Sequence, residues 1–589
     1  MSDGRERQLS DEDGRTATPA WLWWLGFLLG VAVFVGALTL PLPRGLERIT
    51  ALKVQQRLPA ALAARLAPLT AKPRDGAEPV ADAKLLAAAR AIRVRVNKRD
   101  GRIIAADDLA RVRPAERRRY GKVSTVAQLI AGMRRAARGA LACGLLMVVF
   151  WIFSVLPTAI TALLPLVLFP VLGVASLVSP KFPGYFVVSA QYGHQLIFLF
   201  MGTFVLSQAM TRWKLDERMA FHILGVFGTR PAVLMLGFVT ASGFLSMWIT
   251  NTATTATLTP TALAVLASVK HPDVGRYRTG LLLAVAYAST VGGMATLVGT
   301  APNAIYAAFA SSLANHQVSF TEWLAFGLPF VLVFLPMLWL VQAWRFIPRG
   351  LELPGRKGLE TPGRMTRGEK QVAAVFLMMV LLWVTRRELS VIGWPGWSSF
   401  SLGAMSFSWA NDSSVAMFGA LLLFLWPVSL RERVFTLDLK TGLDISWDTL
   451  LLFGGGLALG SAISATGLAS WIAEGLHVVA GAGQHLLILA VTLLTSMLTE
   501  VASNTATATM LMPVMFALGR SLGGGELRFM ATAAVATSMA FMSPIGTPPN
   551  AIVYGTGQVS MGQMFRAGAI LNLLAALVWW IVAVVLVPG

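Results

Sequence analysis

Small polar residues in a hydrophobic setting are the first chemistry this chain offers. Asn251, Thr252, Ala253 and Thr254 recur as Asn504, Thr505, Ala506 and Thr507, and a proline, Pro260 or Pro513, follows each asparagine by nine residues. Ser246, Thr250, Asn251 and Thr252 in the first copy, and Thr499, Ser503, Asn504 and Thr505 in the second, supply hydroxyls and a carboxamide just where a helix would begin. A helix N-terminus leaves backbone N–H groups unpaired and carries partial positive charge. It is a ready site for an anion, and Asn and Thr side chains add donors. Two such tips would hold the two ends of a divalent anion.

A second pair of motifs follows in the same order: Gly299-Thr300-Ala301-Pro302-Asn303 and Gly546-Thr547-Pro548-Pro549-Asn550. Glycine allows close backbone approach, and proline prevents a helix from resealing. The freed carbonyls, with hydroxyl and carboxamide oxygens beside them, are the ligands a hard monovalent cation such as Na⁺ wants. A cation there offsets part of the cost of removing an anion from water. Alone, an Asn-Thr pair in an apolar helix is usually a cap or a helix–helix hydrogen bond, and a Gly-Pro break a kink. Four motifs in duplicated order argue for a site.

The elements that must position these residues are membrane helices. Of 589 residues, 55% are hydrophobic and 13% charged, against about 25% charged in soluble domains. Long apolar runs recur, and the alternating segments of a β-barrel are absent. The fold class is an all-α polytopic membrane protein. Residues 1–19 read as a cytoplasmic tail and 20–43 as a retained first transmembrane helix, with Trp21, Trp23 and Trp24 at one end like an interfacial anchor. Residues 44–138 form a polar insert with 23 Lys/Arg against 8 Asp/Glu. In it, residues 60–65 and 81–90 look helical, and 92–104 read as a β-hairpin turning at Asp100-Gly101. A small accessory domain and a flexible basic loop both fit. Residues 139–345 make a first repeat with a re-entrant hairpin at 231–268, 346–369 a linker, and 370–589 a second repeat with a hairpin at 484–520. Residues 280–311 and 528–556 read as two of the spans. Five spans separate the hairpins, so the repeats enter from opposite sides. Paired discontinuous helices in inverted halves are the pattern of secondary transporters.

At Ser246-Met247-Trp248-Ile249-Thr250-Asn251-Thr252 and Thr499-Glu500-Val501-Ala502-Ser503-Asn504-Thr505 the sequence resembles the divalent anion:sodium symporter family of sodium-coupled dicarboxylate, citrate and sulfate carriers. The breaks at 299–303 and 546–550, and Leu451 to Leu459, match too. The resemblance implies about eleven transmembrane helices, two re-entrant hairpins, a scaffold that forms a homodimer, and an elevator-type transport domain in the inner (plasma) membrane. It implies one Na⁺ at Ser246, Thr250, Asn251 and Gly299, and another at Thr499, Ala502, Asn504 and Gly546. Substrate carboxylates would meet Thr250, Asn251 and Thr300 on one side and Ser503, Asn504 and Thr547 on the other, with Thr252 and Thr505 beside them. Thr250 stands where the family usually has serine, and its extra methyl narrows the site.

The function expected is Na⁺-coupled transport of a small divalent anion, a C4-dicarboxylate such as succinate. Exchange without net Na⁺ coupling, a sulfate or citrate substrate, and a non-transporting receptor or scaffold are the alternatives. Glu500, a carboxylate inside a hairpin, is a candidate for coupling. His194, His222 and His477 lack metal-ligand spacing, and Cys143 reads as a buried hydrophobe. No nucleophile–base pair, phosphate loop or nucleic-acid motif stands out, so neither an enzyme nor a nucleic-acid partner is expected. The net charge of +20 fits the lipid bilayer surface better.

Overall fold

The computed structural model describes residues 20–70, 82–97, 102–120, 122–174, 184–267, 269, 271–353, 362–388, 393–402 and 405–588. The tail 1–19, the hairpin turn at 98–101 and the linker stretch 354–361 lie outside the described residues. The chain divides into two compact units, one of residues 1–190 and 461–471, the other of 191–460 and 472–589.

In the first unit, α1 (Ala20–Thr39) is apolar along its length and packs on α6 (Val126–Ile152). Gly30 makes the approach close, since a Cβ there would lie 2.6 Å from the Phe150 ring. Trp23 Nε1 fixes one end by donating to the Val155 carbonyl at 2.6 Å. Between them lie α2 (Arg44–Gln55), α3 (Ala60–Thr70), α4 (Asp82–Arg90), β1 (Arg93–Val96), β2 (Ile103–Ala105), α5 (Pro114–Arg117) and β3 (Ser124–Thr125). The strands pair antiparallel in the order β2-β1-β3, with Val94 opposite Ala105. Val54, Leu66, Leu85, Val94, Ile103 and Ile130 form one buried core, so the described residues of the insert form a folded α/β layer. The alternation at 92–104 follows from that core: Val94 is buried and Arg93 exposed. The expected boundary at 138/139 falls inside α6, which starts at Val126 behind a capping box of Thr125 and Gln128. Arg134, Arg135 and Arg138 give the first half of this helix a polar reading, while Ile130 and Met133 hold it to the core of the insert. The unit continues with α7 (Thr158–Ala162), α8 (Leu164–Val171) and α9 (Gly184–Ser189).

The second unit runs through α10 (Gln195–Arg212), α11 (Leu215–Val226), α12 (Pro231–Ser246), α13 (Asn251–Ala267), α14 (Val274–Gly293), α15 (Ala301–Leu313), α16 (Phe320–Phe346), α17 (Arg367–Thr385), α18 (Asp412–Leu425) and α19 (Leu439–Gly442). Two short hairpins, β4 (Ser401–Leu402) with β5 (Met405–Ser406) and β6 (Pro427–Ser429) with β7 (Val434–Phe435), flank α18. α20 (Trp447–Thr466) and α21 (Leu468–Leu476) cross the division between units. α22 (Gln484–Thr499), α23 (Asn504–Ser521), α24 (Glu526–Ala536), α25 (Pro548–Gly555) and α26 (Met561–Val585) complete it.

Seven helices among the described residues are long and apolar enough to cross a membrane. The arms of the two hairpins are not. α12 and α22 have 16 residues each, about 24 Å against a hydrocarbon core of about 30 Å. The spans 280–311 and 528–556 are not continuous helices: 294–300 separate α14 from α15, and 537–547 separate α24 from α25. Apolar composition carries through these breaks, so hydropathy reads each as one span.

Candidate functional site

Each tip is built in the same way. In the first repeat α12 ends at Ser246 and α13 begins at Asn251, and Ser246 Oγ donates to Asn251 Oδ1 at 2.7 Å across the gap. In the second, Thr499 Oγ1 donates to Asn504 Oδ1 at 2.7 Å. Each bond engages the carboxamide oxygen and leaves Nδ2 without a partner among the described residues. Each break is built alike too. Asn303 Nδ2 donates to the carbonyls of Gly293 (3.0 Å) and Thr296 (2.7 Å). Asn550 Nδ2 donates to those of Ala540 and Ser543, both at 2.9 Å. The asparagine at the start of the later helix thus replaces the lost helical donors. Thr300 and Thr547 take the N-cap positions of α15 and α25 in extended conformation, and neither side chain caps its helix. Thr547 Oγ1 is buried without a partner among the described residues.

The oxygen clusters fit a hard cation. A Cβ on Gly293 would collide with Asn251 Oδ1 and lie 3.0 Å from the Gly299 carbonyl. Ser246 Oγ, Asn251 Oδ1 and Gly299 O therefore gather around a cradle that any side chain on Gly293 would fill. Gly299 must approach Gly293 closely for this, since a Cβ on Gly299 would stand 2.8 Å from the Gly293 Cα. In the second repeat the Thr537 carbonyl also lies 2.7 Å from Thr499 Oγ1, so it and Asn504 Oδ1 share the single hydroxyl proton. Here Ala540 holds the position that Gly293 holds in the first.

The fastenings behind the tips differ. Thr296 Oγ1 donates to the Met247 carbonyl at 2.6 Å, so in the first repeat the break reaches back to the tip. In the second the tip reaches to the break. Glu500 Oε1 accepts from Met542 N (2.9 Å) and from Asn572 Nδ2 of α26 (2.9 Å), and Oε2 from Ser543 N (2.8 Å). Glu500 meets amides and not a base. Thr296, Thr537 and Asn572 carry roles the sequence reading did not assign; the signal for Asn572 is a polar residue inside an apolar span. His194 serves the fold, accepting from Leu196 N as the cap of α10.

Thr250 and Ser503 are not equivalent in use. Thr250 Oγ1 accepts from Ala253 N at 3.3 Å, whereas Ser503 makes no side-chain cap and is exposed. Thr252 is exposed and Thr505 half-buried, with its carbonyl accepting from Thr509 Oγ1. Ala502 offers only backbone, its N–H donating to the Leu498 carbonyl. Gly546 is buried close to the Glu500 carboxylate, which a Cβ there would meet at 3.2 Å. What joins the two sets is cross-packing. α13, behind the first tip, packs on α25 of the second break, and α23, behind the second tip, packs on α15 of the first. Both tips and both breaks thus belong to one interlocked bundle.

Comparison with known proteins gives the family. The family model for the sodium:sulfate symporter transmembrane region matches residues 126–587, beginning where α6 begins and leaving most of the insert outside. The chain is 38% identical over 463 residues to the sodium-dependent dicarboxylate transporter SdcS of Staphylococcus saprophyticus, covering 76% of this chain and 86% of that one. It is 36% identical over 464 residues to SdcS of Staphylococcus aureus strain MRSA252, covering 76% and 85%. Among solved structures it is similar to the Alcanivorax borkumensis YdaH transporter, at 14% identity and a TM-score of 0.49 over 67% of this chain and 86% of that one. A likeness to Neisseria gonorrhoeae MtrF has 12% identity and a TM-score of 0.46 over 67% and 82%. Fold and site define an all-α, multi-pass plasma-membrane protein that works as a transporter and not as an enzyme. It belongs to the divalent anion:sodium symporter family.

Proposed function

We propose that the protein carries a small divalent anion, a C4-dicarboxylate such as succinate, across the plasma membrane together with Na⁺. The observation that carries this reading is the interlock of two asparagine tips with two broken helices, each tip an asparagine held by its carboxamide oxygen at a helix N-terminus. The names of its relatives, sodium-dependent dicarboxylate transporters, support it. Asn251, with Thr250, Thr252 and Thr300, would take one carboxylate, and Asn504, with Ser503, Thr505 and Thr547, the other.

Na⁺, when bound, supplies positive charge beside the anion. Ser246, Thr250, Asn251 and Gly299 would hold one ion, and Thr499, Ala502, Asn504 and Gly546 the second. The two functions meet in the asparagines. Oδ1 lies on the oxygen cluster, so Nδ2 is the end left for a carboxylate. A cluster that fixes Oδ1 also fixes Nδ2, and order at the cation side becomes order at the anion side. This coupling favours cation before anion. The protein would act as a homodimer, the hairpins and broken helices moving together as an elevator domain.

Asn251→Ala and Asn504→Ala, each checked for folding by its melting profile, test these roles. Both variants should lose Na⁺-driven succinate uptake while still folding. Wild-type uptake by either would remove the asparagines from the site.

A further inference from the structure

Asp216 is a buried carboxylate that the transport site does not use. It lies at the second position of α11 and is 1% exposed. Its Oδ2 accepts from Thr257 Oγ1 at 2.9 Å, and its Oδ1 is buried with no partner among the described residues. Thr257 belongs to α13, the helix that starts at the Asn251 tip, and lies six residues, roughly 9 Å, along it. Helical spacing puts Thr254 on the same face, one turn nearer the tip. Thr254 Oγ1 is buried and also without a partner. Buried hydroxyls of α14 and α22, those of Ser289, Thr290 and Thr492, bond the carbonyl four residues back, whereas Thr255 and Thr259 of α13, like Thr254, have no partner among the described residues.

No counter-charge reaches Asp216 among the described ion pairs. Lys214 pairs with Glu217 at 3.3 Å, Arg218 with Glu369 of α17 at 2.9 Å, and Arg212 of α10 with Asp438. Arg367 and Lys370 of α17 flank Glu369, and His222 of α11 is exposed. α12 and α13, which pack on α11, carry no titratable residue. An ionised carboxylate held this way is costly, and such groups neutralise instead.

We propose that Asp216 is a proton-binding site: its carboxyl holds a proton on Oδ1 while α11 lies against α13, and returns it to water when the two helices part. The transfer is a simple acid–base exchange with solvent and needs no co-reactant. Burial pushes the carboxyl above its usual range, Thr257 and the first-turn amides of α11 pull it down, and the charge of Glu217 adds to the rise. Because the folded protein binds this proton more tightly than the unfolded chain, the stability it contributes is full below the ordinary carboxylate range. That stability is lost as pH rises through the raised value. Through Thr257 the charge on Asp216 acts on the helix that carries Asn251, which makes Asp216 a positioning residue for the tip.

The test uses full-length protein, wild type, Asp216→Asn and Thr257→Val. Melting temperature in detergent and the half-saturating Na⁺ concentration for succinate uptake are read across pH. Wild type should lose stability on the alkaline side, and its half-saturating Na⁺ should rise by up to about tenfold per pH unit there. Asp216→Asn, neutral at every pH, should show neither change. Thr257→Val removes a donor that favours the anion, so it should move the limb to higher pH, which keeps the test decisive even if the asparagine variant fails to fold. Unchanged pH profiles in Asp216→Asn, or a limb moved to lower pH by Thr257→Val, would overturn the proposal. So would stabilisation by Na⁺ at fixed pH that Asp216→Asn alone loses, since that marks a Na⁺ site. The transport readout rests on the proposed function, whereas the melting readout does not. Absence of succinate uptake in all three proteins would therefore refute the function and leave the melting curves to decide the proton site.

Discussion

Glu500→Gln should loosen the second tip and leave the first intact. Glu500 meets three donors, Met542 N, Ser543 N and Asn572 Nδ2, through both oxygens. Glutamine keeps one oxygen and must turn its NH₂ toward a donor on the other side. One hydrogen bond to a charged group, worth about 1.5–3 kcal/mol, is lost, and a buried N–H left unsatisfied costs about 1–3 kcal/mol more. A sum of about 2.5–6 kcal/mol corresponds to a factor of about 60 or more in the population of the ordered tip. Since Asn504 is fixed only when that tip is ordered, the half-saturating Na⁺ concentration for uptake should rise steeply and the melting temperature should fall. Met247→Leu is the control. It occupies the equivalent place in the first repeat, where the fastening uses only the Met247 carbonyl, so it should behave as wild type. A Glu500→Gln protein with wild-type melting and wild-type Na⁺ dependence would refute the bracket role of Glu500.

Three further outcomes follow from the same geometry. Gly293→Ala places a methyl group against Asn251 Oδ1 and the Gly299 carbonyl, and should abolish Na⁺ stimulation of uptake, whereas Ala540→Gly in the second repeat should preserve it. Asn550→Ala strips the donor from the Ala540 and Ser543 carbonyls, and should destabilise the fold by about 2–5 kcal/mol, read as a lowered melting temperature. Replacing residues 44–122 by a short linker should leave Na⁺-driven uptake intact, because the tips and breaks all lie in residues 191–589; loss of uptake in a folded protein would give the insert a part in transport.

The sequence made the tips legible because polarity is conspicuous in an apolar chain. Asn251 and Asn504 stand among residues that hydropathy alone would not put there, and duplication removed the bland explanations. Fastenings were harder to see. Asn303 and Asn550 were visible as parts of a motif, but their hold on carbonyls seven and ten residues upstream depends on how a helix unwinds, which no spacing rule states. Glu500 reads as a coupling candidate because a carboxylate inside a membrane hairpin is a functional candidate by default. Two of its three partners here are the backbone amides of Met542 and Ser543, which every sequence has and none displays. The insert was half legible: alternation around Val94 exposed the β-hairpin, but α2 and the first half of α6 read as polar loop. Their arginines interrupt the apolar residues, such as Val54, Ile130 and Met133, that hold them to the core. α11 was missed because it is short and opens on charged residues, its buried Asp216 looking like surface until its neighbours are known.

The central claim, that paired tips hold a dicarboxylate beside Na⁺, is tested most directly by uptake of radiolabelled succinate into proteoliposomes, with Na⁺ or K⁺ outside and no internal anion. Uptake with Na⁺ and not with K⁺ is the predicted result. Uptake that ignores Na⁺ and appears only when the vesicles are preloaded with dicarboxylate would contradict it and make the protein an exchanger.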